Sequence, residues 1–402
     1  MSPFARRTIA WAVVTLTACS IELRGGADLA PGDAGAEGGV GGSVFDDAGF
    51  GGTAAGSAEA GADADAALEA EAGPVLPYAY RRRLSVAAAS GAPAGASLVL
   101  RFDHQALVAA GKARKDGNDV RVFRKAGGPS AELHRVLDPV SSWERSDTTL
   151  WFRAQAAIGT LADESYYLYF GDPGAGDPPA DANQVYAFFD GFEGTALATG
   201  WVGAPIGSAT GTFSVGKGVL RIEGATGDIW DQADNFLFLH RAMSGSFVLD
   251  ALVTSSGGSA SGWAKLGGVM LRESAAKGAR NRIASPVNGG WSITSSYRLA
   301  TDGTTLEAAK SGAKLVPQYV RLARRFDAAR AWHSADGINF TELGSETQFT
   351  GSLPDSLLIG IPLANMSSSK GFVEVDWFRA RTLVEPEPAV TEQLEEPGPF
   401  TP

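Results

Sequence analysis

One pattern constrains the fold of residues 78–383: short runs that alternate apolar and polar residues, separated by clusters of Gly, Pro, Asn and Asp. At 373–377, Val-Glu-Val-Asp-Trp alternates as a strand with one buried and one solvated face requires. The clusters between the runs are rich in turn-forming residues. The pattern predicts an all-β fold, with one short helical turn at 105–111.

Two folded domains fit this length and pattern. The chain has 402 residues, enough for two ordinary domains and their flanking segments. The spacing of strands and turns predicts a β-sandwich at residues 78–186. A second, longer β-rich segment follows directly at residues 187–383. We therefore expect the two domains to touch, and the groove at their junction is one candidate ligand site.

The segments that flank the domains are predicted to be disordered. Residues 19–77 are rich in Gly, Ala and Asp, and residues 20–77 hold eleven acids and one base. Residues 384–402 hold five acids, five prolines and no base. Such segments bury too little apolar surface to offset chain entropy. Most of the net charge of −11 lies in them, and no basic patch in the near-neutral domains indicates nucleic-acid binding.

Residues 1–18 have the features of a cleaved signal peptide. Arg6 and Arg7 precede a charge-free apolar run that is too short to span a bilayer. The following Leu-Thr-Ala-Cys, which ends in Cys19, resembles the lipobox of bacterial lipoproteins. The resemblance implies a lipid anchor on Cys19, with palmitate-type acyl chains, in the bacterial cell envelope. Ser20 in place of Asp implies the outer membrane or cell surface. The alternative is an ordinary secretory signal with an incidental cysteine.

Several motifs in residues 78–186 resemble an uncharacterised family of secreted β-rich domains, domain of unknown function 2341. The motifs are Tyr-Arg-Arg at 80–82, Gly-Asn-Asp-Val-Arg-Val-Phe at 117–123, Trp-Phe-Arg at 151–153 and Tyr-Leu-Tyr-Phe-Gly-Asp at 167–172. Asp172 stands where the family usually has Asn. The resemblance implies a β-rich fold, often beside lectin-like modules, and no particular activity.

Residues 187–383 resemble the concanavalin A-like lectin and glucanase superfamily, a jelly roll of two packed, curved sheets. The motifs that carry the resemblance lie at 189–193, 267–272, 319–324, 334–340 and 375–378. The resemblance implies a concave sheet that presents aromatic rings and hydrogen-bond donors to a glycan. The candidate ligand-binding residues are Trp263, Arg272, Trp291, Tyr297, Arg321 and Trp332. The alternative is that most of these aromatic residues fill the core between the sheets.

A calcium site is a second implication of this resemblance. Members of the superfamily often hold a calcium ion on the convex side. The corresponding chain ends here supply the carboxylates of Asp190, Glu193 and Asp376, which are hard oxygen donors suited to calcium. The alternative is that Asp376 caps an edge of the sheet.

No complete catalytic motif is present. Glycosidases of the superfamily place two carboxylates on one strand, but only the first half of the usual Glu-x-Asp-x-Glu motif occurs, as Glu374 and Asp376, with Phe378 at the third position. The sequence therefore favours an envelope-anchored carbohydrate- or surface-binding module without catalysis. Two alternatives stay open: a glycan-degrading hydrolase or lyase, and a structural or adhesive protein that binds a protein partner.

Overall fold

The computed structural model describes residues 75–288, 292–312 and 314–402, which belong to one compact unit. The predicted signal peptide, Cys19 and most of the predicted tether therefore lie outside the described residues. No described helix is both long and apolar enough to cross a bilayer.

The first domain contains short strands and one helix. The helix begins at Asp103, whose carboxylate accepts a hydrogen bond from the backbone N–H of Ala106 at 2.8 Å. The elements are β1 (Tyr80–Ala87), β2 (Ser97–Phe102), α1 (His104–Ala109), β3 (Arg121–Arg124), β4 (Ala131–Leu133), β5 (Arg135–Leu137), β6 (Thr148–Arg153), β7 (Asp163–Phe170) and a 3₁₀ turn (Ala182–Gln184).

The remaining strands continue to the C-terminus. They are β8 (Phe188–Asp190), β9 (Val202–Ile206), β10 (Thr210–Gly216), β11 (Val219–Thr226), β12 (Phe236–Ser244), β13 (Phe247–Gly258), β14 (Ala264–Leu266), β15 (Val269–Arg272), β16 (Asn281–Asn288), β17 (Ile293–Arg298), β18 (Leu306–Ser311), β19 (Gln318–Arg325), β20 (Ala328–Ser334), β21 (Thr341–Glu342), β22 (Thr347–Gln348), β23 (Ser356–Ala364), β24 (Ser367–Thr382) and β25 (Ala389–Pro397).

The first domain is one eight-stranded sheet in the order β4-β3-β7-β1-β25-β2-β6-β5. Apolar residues of β1, β2, β3, β6 and β7 share a single buried cluster, among them Leu84, Leu100, Val122, Phe152 and Leu168. Because strands far apart in the order contact one core, the sheet curves around it. Among the described strands, only β25 joins the two halves, with seven residue pairs to β1 and a single parallel bridge to β2.

Strand β25 corrects the prediction of a disordered C-terminal tail at 384–402. The acids that suggested disorder are the partners of basic residues in the first domain. Arg82 lies between Glu392 and Glu395 at 3.1 and 3.0 Å, and Arg81 contacts Glu396 at 2.6 Å. The first domain is therefore discontinuous in sequence, since the chain returns to it after the second domain is complete.

The second domain is a sandwich of two antiparallel sheets. One contains β10-β11-β24-β13-β19-β20-β21, with β8 and β22 at its margins, and the other contains β18-β17-β16-β14-β23-β12-β9, with β15 beside β16 and β23. A buried core between them takes residues from both sheets, including Leu249, Val320, Leu271 and Ile361. The predicted all-β fold class is confirmed.

Candidate functional site

Two exposed tryptophans line a cavity of 570 Å³ on the outer face of the β18-β17-β16-β14 sheet. The Trp263 and Trp230 residues keep 45% and 36% of their surfaces exposed. We call this cavity the tryptophan groove. Its lining residues are Asp228, Trp230, Trp263, Lys265, Val287, Thr294, Ser296, Thr305, Leu306, Glu307, Lys310 and Met366. The volume lies in the range of small-ligand sites, about 300–1,000 Å³.

Strand alternation places polar groups in the tryptophan groove. In β14, Ala264 and Leu266 join the core between the sheets, so Lys265 points to the opposite face and into the groove. In β17, Thr294 and Ser296 line the groove while Ile293 lies in the core. Because alternate residues of each strand pack in the core between the sheets, the residues between them form the floor of the groove.

A cluster of backbone contacts fixes the loop that carries Trp230. The Arg298 guanidinium donates hydrogen bonds to the carbonyl oxygens of Trp230 and Asp231 at 3.2 and 3.0 Å. The backbone N–H of Thr305 donates to the same Asp231 oxygen at 2.8 Å. Hydrogen bonds from Arg298 and Thr305 thus hold the backbone of the loop that carries Trp230. A loop that is already ordered loses less entropy when a ligand binds.

The guanidinium that anchors this loop belongs to a buried ion cluster. Asp234 is paired with both Arg298, at 2.6 Å, and Arg272, and all three side chains are fully buried. Arg272 also donates to the carbonyl oxygens of Ser274, Ala276 and Lys277. Burial lowers the pKa of Arg272, and the Asp234 carboxylate opposes that effect. Arg272 was predicted to bind ligand, but its donors are used inside the protein.

The charges that line the tryptophan groove are paired. Lys265 contacts Asp228 at 2.9 Å, and Lys310 contacts Glu307 at 3.3 Å. Each lysine also lies near an indole ring, with Nζ 5.4 Å from the Trp230 centroid and 5.5 Å from the Trp263 centroid, respectively. The groove therefore offers apolar ring faces and hydroxyl groups with little net charge.

The other predicted ligand-binding residues do not converge on this groove. Tyr297 lies on the opposite face of β17 from Thr294 and Ser296, near the buried Arg282 guanidinium. Arg321 and Trp332 belong to the other sheet, where Arg321 pairs with Asp250 at 2.5 Å. Trp291 lies outside the described residues. Of the predicted set, only Trp263 lines the tryptophan groove among the residues that the structure describes.

Two of the three predicted calcium ligands, Glu193 and Asp376, lie near each other, but the three carboxylates do not form a metal-binding group in the described part of the chain. The Asp190 carboxylate accepts hydrogen bonds from the Trp201 indole N–H at 2.9 Å and the Phe192 backbone N–H at 2.8 Å. Burial and the nearby Glu193 carboxylate raise the pKa of Asp376. Within 75–288, 292–312 and 314–402, no group of three His, Cys, Asp or Glu side chains could hold a metal ion. The calcium site stays a prediction without structural support.

The incomplete catalytic motif lies away from the tryptophan groove. Glu374 and Asp376 are in β24, which belongs to the sheet opposite the groove. The Glu374 carboxylate is paired with Arg221 at 2.7 Å. Within the groove, the two carboxylates, Asp228 and Glu307, each contact a lysine. Nothing in this arrangement resembles the acid and nucleophile pair of a glycosidase.

Sequence reasoning missed Trp230, Lys265 and Thr305. One signal was available for Trp230, since it lies in Gly-Asp-Ile-Trp-Asp at 227–231. A tryptophan surrounded by turn-forming residues is expected in a loop and not in a buried strand. Lys265 and Thr305 carry no such signal, because their positions in the groove depend on contacts between segments that are distant in sequence.

Comparison with known proteins supports the resemblance of the first domain. Residues 116–203 match the model of a family described as Domain of unknown function (DUF2341). The uncharacterised domain predicted from the sequence is thereby confirmed, although the match begins after β2 and extends beyond residue 186. No curated protein sequence matches this chain.

The chain is similar to several solved structures at low identity. A functionally unknown protein from Saccharomyces cerevisiae is 18% identical, with a TM-score of 0.35, over 48% of this chain and 96% of that one. The GH43 BlXynB protein from Bacillus licheniformis is 16% identical, with a TM-score of 0.39, over 66% of this chain and 53% of that one. LamAcat from Zobellia galactanivorans is 11% identical, with a TM-score of 0.34, over 49% and 97%. These distant likenesses establish no shared function.

Proposed function

We propose that this protein is an envelope lipoprotein whose second domain binds a neutral oligosaccharide in the tryptophan groove without cleaving it. One observation carries the proposal: the exposed rings of Trp230 and Trp263 line the same 570 Å³ cavity. Exposed aromatic residues that are grouped in one cavity, unlike single apolar residues on a surface, commonly mark a binding site. The flat apolar faces of sugar rings are suitable partners for indole rings.

The polar lining supports a sugar over a purely apolar ligand. Hydroxyl groups of Thr294 and Ser296 and the ion pair of Lys265 with Asp228 lie beside the aromatic surface. A sugar presents C–H surfaces on its ring faces and hydroxyl groups around its edge, so this combination can satisfy both. A few placed polar groups within a mainly apolar site are typical of small-ligand recognition.

The paired charges support a neutral sugar over an acidic one. Asp228 and Glu307 contribute two negative charges, and Lys265 and Lys310 contribute two positive charges. A ligand carboxylate in the groove would have to compete with Asp228 or Glu307 for a lysine, which costs desolvation free energy with little gain. The same pairing reduces the availability of either carboxylate as an acid or a nucleophile, which supports binding without catalysis.

Replacing the two tryptophans tests this proposal. We expect Trp263→Ala to weaken binding of a neutral oligosaccharide about tenfold, a loss of ~1.4 kcal/mol, because it removes one stacking surface. The variant Trp230→Ala/Trp263→Ala should show no measurable binding. A neutral glycan array would select the ligand, and isothermal titration calorimetry of the full-length protein would measure the affinity.

Phe326→Ala is the matched control, because Phe326 is 77% exposed and does not line the tryptophan groove. Unchanged affinity in the double tryptophan variant would refute the assigned site. If the purified protein releases reducing sugar from the glycan, that result would instead favour the hydrolase alternative. Retention of a protein partner with no glycan binding at all would favour an adhesive role.

Lipid attachment of Cys19 is the second part of the proposed function. We expect Cys19→Ser to abolish incorporation of labelled palmitate and to move the protein from the membrane to the soluble fraction, because one thiol is the proposed lipid acceptor. Fractionation of a bacterial culture grown with labelled palmitate would measure both the incorporation of the label and the distribution of the protein. Ser20→Ala is a suitable control, since it leaves the thiol in place. Membrane association that survives in Cys19→Ser would contradict the anchor.

A further inference from the structure

A second cavity lies at the junction of the two domains. It has a volume of 100 Å³, and its walls come from β2, the 138–151 region, β19, β24 and the segment before β25. We call it the junction cavity. Five arginines line it: Arg101, Arg145, Arg321, Arg379 and Arg381. Three carboxylates also line it: Asp138, Asp147 and Glu387.

The innermost charges of the junction cavity join the domains. Arg379 contacts Asp138 of the first domain at 3.0 Å and Asp250 of the second at 3.1 Å. Burial alone would lower the pKa of Arg379, but the Asp250 and Asp138 carboxylates hold it well above its ordinary value. Asp250 also contacts Arg321 at 2.5 Å. These buried acids are therefore fully used within the protein.

Arg381 has unused hydrogen-bonding capacity. Its side chain is only 8% exposed, and its Nε lies 4.0 Å from the nearest Asp250 oxygen. Among the described residues, that Nε has no hydrogen-bond partner. One terminal nitrogen contacts Glu387 at 2.5 Å. A buried N–H without a partner costs free energy, so the Arg381 guanidinium is incompletely satisfied by the acids of the protein.

The mouth of the junction cavity adds more positive charge. Arg145 is paired with Asp147 at 2.7 Å, and its side chain is 40% exposed. Arg101 is exposed and has no ion pair within the described part of the chain. Each acid that lines the cavity already contacts an arginine. The five guanidinium groups therefore carry more positive charge than the three lining acids and Asp250 can neutralise.

An adjoining cavity supplies aromatic surface. Its volume is 380 Å³, and it shares Arg321, Phe340, Arg381 and Glu387 with the junction cavity. Trp332 lies in its wall, and the Arg321 guanidinium stacks on the Phe340 ring at 3.9 Å. The other acid in this wall, Glu385, faces Arg325 at 3.8 Å and Arg330 at 4.0 Å. The two cavities together suit a ring with an anionic substituent.

We propose that the junction of the two domains is a second binding site, distinct from the tryptophan groove, for a saccharide residue that carries a carboxylate or a sulfate. The anionic group occupies the junction cavity and pairs with the guanidinium groups that line it, Arg101 and Arg145 at its mouth and Arg381 on its wall. The sugar ring lies in the adjoining cavity against Trp332. A volume of 100 Å³ holds one such group but not a whole sugar ring, so the ring must lie outside it. Guanidinium groups are well suited to recognise carboxylate and sulfate.

Calorimetric titration with acidic oligosaccharides tests the site. The probes are an oligogalacturonide, a sulfated galacto-oligosaccharide and an uncharged galacto-oligosaccharide of equal length, each at the same ionic strength. We expect at least one acidic probe to bind, and which of the two binds identifies the anionic group. In Arg101→Ala/Arg145→Ala, binding should weaken about tenfold, because two charged donors at the mouth are lost. Both arginines lie outside the buried Asp138–Arg379–Asp250 cluster, so the variant should fold.

Two control variants test whether the acidic probe binds at the junction cavity. Arg83→Ala removes another exposed arginine, paired with Glu164 at 3.4 Å, and should leave the affinity unchanged. Trp263→Ala should leave binding of the acidic probe intact, because the two sites are independent. The proposal is overturned if neither acidic probe binds, if the uncharged probe binds the Trp230→Ala/Trp263→Ala protein as tightly as the acidic probe does, or if Arg101→Ala/Arg145→Ala and Arg83→Ala have the same effect.

Discussion

Deletion of residues 388–402 is expected to unfold the first domain while the second domain stays folded. The deletion removes β25, which forms seven residue pairs with β1 and links the two halves of the first sheet. Strands β1 and β2 would then become exposed edges over a shared core. Because the second-domain core takes no residue from this segment, its sheets keep their packing.

Side-chain contacts increase the expected effect of this deletion. Arg82 would lose Glu392 and Glu395, which leaves a partly buried guanidinium without its acids. Phe400 would leave an aromatic cluster in which its ring centroid lies 5.4 Å from that of Tyr169. With about 1 kcal/mol per lost hydrogen bond and further losses from burial, the total is on the order of 5 kcal/mol or more. Such a loss is comparable to the whole stability of many domains.

Limited proteolysis with mapping of the cleavage sites measures this effect domain by domain. New cleavage should occur within residues 78–186 and not within residues 187–383. Leu394→Ala is the matched control, because Leu394 lies in the same strand with 89% of its surface exposed, and we expect little change. A deletion variant whose first domain resists protease as well as the intact protein would show that β25 does not stabilise that domain.

Asp234→Asn is expected both to destabilise the second domain and to weaken glycan binding. The substitution keeps the shape of the side chain but removes the one carboxylate that Arg272 and Arg298 share, and all three side chains are fully buried. Removing one partner from a buried ion cluster leaves uncompensated charge and costs about 3–5 kcal/mol. Binding should fall as well, because Arg298 holds the backbone of the loop that carries Trp230.

Thermal unfolding and calorimetric titration together test this prediction. Asp231→Asn is the matched control, since Asp231 is an exposed acid in the same loop whose backbone oxygen, and not its carboxylate, accepts from Arg298. Adding Arg272→Met to Asp234→Asn should recover part of the lost stability by removing one unpaired cation, which a double-mutant cycle would detect. An Asp234→Asn protein with unchanged stability and glycan affinity would contradict the role assigned to the cluster.

The positions of the predicted ligand-binding residues in the structure show what can be inferred from the sequence. Trp263, a predicted ligand-binding residue, is 45% exposed and lines the tryptophan groove, and its role in binding stays a prediction. Arg272 was chosen because arginine is difficult to bury, yet Asp234 and three backbone carbonyl groups make its burial tolerable. The compensating carboxylate of Asp234 is 38 positions away in sequence, and no local sequence pattern predicts the contact.

The sequence by itself determined that this chain folds into an all-β structure. Alternation and turn chemistry are local properties, and they fix strand formation wherever one face must be buried. Only the tertiary structure decided which residues meet: it paired the acidic C-terminal segment with Arg81 and Arg82, and it brought Trp230 and Trp263 to one groove. The physical reason is that ion pairing and shared cavities depend on long-range contacts, whose energy appears only after the sheets have packed.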